Sequence, residues 1–154
     1  MIGKQAALNR MVLIICLSAA LSGAASRAYA SELYEAVVEI LKEDAIDIDM
    51  TYCPKISYRG ADSVYAVVSS PKNKIWLAGI EYPEGSKVRA FLFADTNSTE
   101  NGTGNFRELS CKGSTIKFER EGAGKTLWVT EYFQWNGEHL THTETHRAAN
   151  TENI

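Results

Sequence analysis

The chain has 154 residues, with 16 Lys and Arg against 19 Asp and Glu, a net charge of −3. That length holds one core, not two. An acidic balance lacks the cationic footprint that nucleic-acid backbones require, and no basic amphipathic helix is present to hold an anionic membrane surface.

Residues 1–30 read as a cleavable signal peptide. Lys4 and Arg10 make a basic front, Met11–Leu21 (MVLIICLSAAL) is an apolar run, and small residues follow to Ala28-Tyr29-Ala30, an A-x-A site. The run is shorter than the roughly 20 residues a bilayer span needs. Cleavage removes Lys4, Arg10 and Arg27 with no acid, leaving thirteen basic residues against 19 acidic, a net charge of −6. The expected address is the periplasm or the cell exterior. No membrane span is expected once the leader is gone. Residues 31–147 then form a single domain, and 148–154 a frayed tail.

Ser31–Ala45 (SELYEAVVEILKEDA) has helical spacing, with Leu33, Val37, Ile40 and Leu41 on one stripe and Glu32 and Glu35 in the first turn. A stripe that wide needs a covering sheet. The period then changes from 3.6 to 2: Ile46, Ile48, Met50 and Tyr52 alternate with Asp47, Asp49, Thr51 and Cys53. Alternation places Cys53 on the polar face, and Pro54 marks a bend or edge. Ser63–Ser69 and Ile75–Ile80 read as a hairpin around Pro71–Lys74. Lys87–Ala94 follows, then the polar loop Asp95–Asn105, which holds glycosylation-type sequons at Asn97 and Asn101. Phe106–Cys111, Thr115–Arg120 and Thr126–Trp135 are further strands. Asn136-Gly137 is a strong hairpin signal, and His139–Arg147 returns. Short links between sequential strands make antiparallel neighbours. The expected class is α+β: an N-terminal helix packed on a mainly antiparallel meander of about eight strands, curved or partly closed.

With Cys16 lost in the leader, Cys53 and Cys111 form an even pair in an oxidising compartment. A bond between them is worth about 4 kcal/mol by loop closure.

The best candidate for chemistry is His142-Thr143-Glu144-Thr145-His146. On a regular strand His142, Glu144 and His146 share a face, and imidazole with carboxylate suits zinc. The first and third lie about 13 Å apart along the strand, too far for ordinary three-point ligation. A two-residue Asn136-Gly137 turn sets Glu131 opposite His142 and Val129 opposite Glu144, so Glu131 joins the candidate metal ligands. The plain alternative is a solvated strand whose Thr141, Thr143 and Thr145 serve β propensity. Gly122–Thr126 (GAGKT) lacks the first glycine of a phosphate-binding loop, with Glu119 in its place, and reads as a turn. No nucleophile elbow, H-E-x-x-H or C-x-x-C occurs. Trp128, Tyr132, Phe133 and Trp135 make the C-terminal hairpin aromatic, and core or cross-strand packing is the plain reading of such rings; Trp135 beside the turn, with Tyr132, is the candidate partner anchor.

These observations point to a small exported, disulfide-stapled binding or inhibitor-type module without enzymatic activity. Its partner is a protein or small molecule of the envelope or exterior. A metal-dependent hydrolase using the His/Glu strand, with zinc as its one candidate cofactor, is the rival reading. A structural envelope component is a third.

Overall fold

The computed structural model describes residues 31–45, 47–70, 74–98 and 105–153. The signal peptide, the first part of the Pro71–Lys74 turn and the sequon at Asn101 lie outside the described residues. The first described element is the helix α1, residues 31–41, which continues as a 3-10 turn over Lys42–Asp44. Lys42 turns left-handed at φ 52 and ends the helix.

Among the described residues eight antiparallel strands follow, in two sheets and not in one meander. β1 (Asp47–Tyr52), β2 (Ser63–Ser70), β3 (Lys74–Glu81) and β4 (Arg89–Asn97) pair in sequence order. So do β5 (Phe106–Lys112), β6 (Thr115–Glu121), β7 (Leu127–Trp135) and β8 (Leu140–Ala149). No ladder joins the sheets among the described residues, so the assembly is α+β and not closed. The break falls in the polar segment after β4, which has no apolar residue to continue a strand. β5 passes beside β1 and β2, and β8 beside β4.

The layers follow from strand parity. Val64, Ala66 and Val68 on β2, with Ile75 and Leu77 on β3, face Ile116, Phe118, Phe133, Trp135 and Leu140 of the second sheet in one buried core. The opposite parity, Val67, Trp76, Ala78 and Ile80, meets Leu33, Ala36, Val37 and Leu41 of α1. The helix stripe is therefore covered by the outer face of the first sheet, and each fully buried aliphatic contributes about 1.5–3 kcal/mol. β3 is buried on both faces, which is why IWLAGI reads as an unbroken apolar run. Gly79 lies under Phe91, and a Cβ there would collide with the ring.

Cys53 keeps the parity of Asp49 and Thr51, but its face is not wet. It looks toward the second sheet, is buried, and is bonded to Cys111 on β5 with the Cα atoms 5.2 Å apart. The bond ties the end of β1 to the neighbouring sheet.

The C-terminal hairpin departs from the expected register. Trp135 pairs with Leu140, so the loop has four residues, Asn136 to His139. Asn136 Oδ1 accepts hydrogen bonds from the backbone N–H of Glu138 at 2.8 Å and His139 at 2.6 Å. That side-chain turn competes with a two-residue backbone turn and prevails. His142 therefore faces Phe133. A bulge follows at Thr143, whose hydroxyl donates to the Tyr132 carbonyl at 3.2 Å, and Tyr132 then pairs with Glu144. The extra residue reverses the parity of the rest of the strand. β8 also runs on to Ala149, and Asn150 is buried where the frayed tail was expected. The Asn150 N–H donates to the Thr126 carbonyl at 2.9 Å, and its side-chain amide to Glu121 at 3.2 Å.

Candidate functional site

Two places on the second sheet concentrate chemistry. The first is the end of its inner face. Ile116, Phe118 and Arg120 point inward from β6, and Val129, Glu131 and Phe133 from β7. Two of these inward positions are therefore charged: Arg120 is 1 % exposed and Glu131 0 %. Ser98, just past β4 on the first sheet, joins them. Its hydroxyl donates to Glu131 Oε2 and accepts from Arg120 Nη2 at 3.0 Å. Arg120 also lies 5.7 Å from the Phe118 ring centre. Charges taken out of water need hydrogen-bond partners, and the Ser98 hydroxyl serves one group of each residue while linking the two sheets.

His142 stands at the cluster's edge. Its Nε2 is 3.8 Å from Glu131 Oε1 and 2.7 Å from Thr145 Oγ1, and its ring meets Phe133 edge-on at 5.5 Å. So Glu131 and His142 are brought together, although through a diagonal and not across the expected pair. Glu144 and His146 are not brought with them. The Thr143 bulge sends both to the outer face, where they are exposed and 3.4 Å apart, with His146 against the Tyr132 ring at 5.6 Å. The shared face of His142, Glu144 and His146 does not exist, because alternation fails at a bulge. Among the described residues no group of three or more His, Cys, Asp or Glu is placed to hold a metal ion.

The second place is the outer face. It carries no covering helix among the described residues, unlike the first sheet. Tyr132 lies there, half-buried, opposite Lys117 on β6. Beside it is an open depression of about 720 Å³ lined by Lys55, Ser110, Lys112, Thr115, Lys117 and Tyr132, with Gly113 at the turn. Lys117 Nζ donates to Glu108 at 3.0 Å; that contact lowers the Glu108 carboxyl below its ordinary value and raises the Lys117 ammonium above its own. Trp135, the other candidate anchor, is 6 % exposed and packs edge-on against Phe93 at 5.3 Å, inside the core.

Ser98, Arg120, Lys55 and Lys112 were missed by sequence reasoning. Arg120 carried a readable signal, since it continues the apolar parity of Ile116 and Phe118. Lys55 and Lys112 flank the two cysteines, so the staple itself forecast their approach. Ser98 sits in a polar run and carried none. GAGKT is a tight turn, with the Gly122 N–H donating to the Leu127 carbonyl at 2.9 Å and Gly124 at φ 77. Comparison with protein-family models, with curated proteins and with solved structures finds no match to this chain.

Proposed function

We propose that this chain is a small exported binding module of the periplasm or cell envelope, without enzymatic activity, and that it recognises its partner with the outer face of the β5–β8 sheet. The observation that carries the reading is the asymmetry of the two sheets. One outer face is covered by α1, and among the described residues the other is left open around Tyr132 and its depression. A Tyr with an apolar ring and a polar tip gives contact area for little entropy. The buried Arg120–Ser98–Glu131 cluster supports a scaffold role, since its hydrogen bonds link the two sheets. The Cys53–Cys111 bond fits an oxidising compartment. No helix among the described residues is long and apolar enough to cross a membrane.

The test is comparative affinity capture from an envelope extract by wild type and by Tyr132→Glu. The reading expects components held by wild type and released by the variant. Identical retention overturns it. So does zinc-dependent turnover of an ester or peptide substrate that is lost in His142→Ala, the outcome the hydrolase reading requires.

A further inference from the structure

We infer that the depression beside the disulfide is an anion site for an amphiphilic carboxylate. Its charged head would sit between Lys55 and Lys112, and its apolar body would lie along the Tyr132 ring. This rests on the reading of the open face as the recognition surface and gives the ligand its chemistry.

The chain is acidic, and several of its cations are matched locally. Lys74 meets Asp95 at 3.1 Å, Arg89 meets Glu81 at 3.5 Å, Arg107 meets Glu119 at 3.3 Å and Lys117 meets Glu108 at 3.0 Å. Lys55 and Lys112 differ. No carboxylate among the described residues lies within ion-pair distance of either, yet both line the same depression. Their approach is covalently arranged. Lys55 stands two residues past Cys53, Lys112 stands one past Cys111, and the bonded pair holds its Cα atoms 5.2 Å apart. Both ammonium groups border one depression, and an anion seated there would gain an attraction to each.

The rest of the lining is carbon, from lysine stems and the Tyr132 ring. A bare phosphate would use the cations and leave those walls wet. A neutral apolar molecule would use the walls and leave the cations as they are. A carboxylate on a hydrocarbon body uses both, and the volume is that of a small-molecule site. Charge alone would also admit a second copy of this chain, offering the exposed glutamates Glu32, Glu35 and Glu39 of α1.

The experiment is calorimetric titration of the disulfide-bonded protein with octanoate, and separately with 1-octanol and with inorganic phosphate, which each supply half of the chemistry. Saturable octanoate binding is expected, at least about tenfold tighter than either half-ligand. Lys55→Glu/Lys112→Glu should weaken it by about tenfold or more, and Lys55→Arg/Lys112→Arg should retain it. Circular dichroism confirms that both variants are folded. Equal binding by all three proteins, phosphate binding as tight as octanoate, or no saturable binding overturns the site. Concentration-dependent self-association in sedimentation, abolished by Lys55→Glu/Lys112→Glu, overturns it in favour of the second copy. Octanoate binding with envelope capture unaffected by Tyr132→Glu would leave this site standing and sink the recognition reading. Capture that depends on Tyr132 without octanoate binding would do the reverse.

Discussion

Glu131→Gln removes one negative charge from the buried end of the second sheet and changes little else in size. Arg120 and Glu131 are 1 % and 0 % exposed, and Ser98 Oγ is hydrogen-bonded to both. Removing one of two buried opposite charges linked through a shared hydroxyl is expected to cost about 3–5 kcal/mol, the range for breaking a buried pair, because the remaining ion stays desolvated without its counter-charge. In a domain of this size each kcal/mol moves the melting temperature by roughly 4 °C, so the expected fall is about 12–20 °C. Arg120→Met/Glu131→Leu removes both charges and fills the same space with carbon. It should be far milder than the single change, near neutral if the packing holds. Thermal melts by circular dichroism on the wild type, Arg120→Met, Glu131→Leu and their double close the cycle, with Glu131→Gln measured beside them. A Glu131→Gln loss under about 1 kcal/mol, or a double variant as unstable as the sum of the singles, would show that these groups do not act as a buried pair.

Replacing Cys53 and Cys111 with Ala should lower stability by about 4 kcal/mol in a urea titration, the loop-closure figure for a separation of 58 residues. Gly79→Ala should destabilise by about 1–3 kcal/mol, since the new Cβ meets the Phe91 ring; Gly79→Ala/Phe91→Ala should not add the two single losses, and simple additivity would deny the contact. Burial, with the charge of Asp47 adding to it, raises the Asp49 carboxyl above its ordinary 3.8. The folded state then holds that proton more tightly than the unfolded, so ionised Asp49 disfavours folding at neutral pH and the penalty disappears below about 3.8. Asp49→Asn should therefore melt higher than wild type at neutral pH, with the gap closing in acid; a gap independent of pH refutes the sign.

The elements were legible where periodicity was strong. The helix stripe of Leu33, Val37 and Leu41, the alternation of Ile48 and Met50, and the unbroken run of β3 each match the layer they occupy. What was hidden is non-local. The alternation after Asp47 shows two faces but not which face is covered, and so Cys53 on the polar parity read as wet although the second sheet lies over it. One Asn side chain set the C-terminal turn, and one bulge at Thr143 divided His142 from Glu144 and His146. Period-2 arithmetic carries no sign of either. The partition of eight strands into two sheets depends on a long polar connection whose composition marks a loop but not a change of sheet. Arg120 and Glu131 are the reverse case: charges of opposite sign on the apolar parity of adjacent strands, a pattern whose simplest physical solution is a buried pair.

Recognition by the open face of the second sheet, and not by its buried polar end, is tested most directly by backbone amide shift mapping. The isotopically labelled protein is titrated with octanoate, and then with any envelope component captured through Tyr132. Perturbations should centre on Ser110, Lys112, Gly113, Thr115, Lys117 and Tyr132 and on Lys55 across the staple. Perturbations centred on Ser98, Arg120, Glu131 and His142 would contradict it.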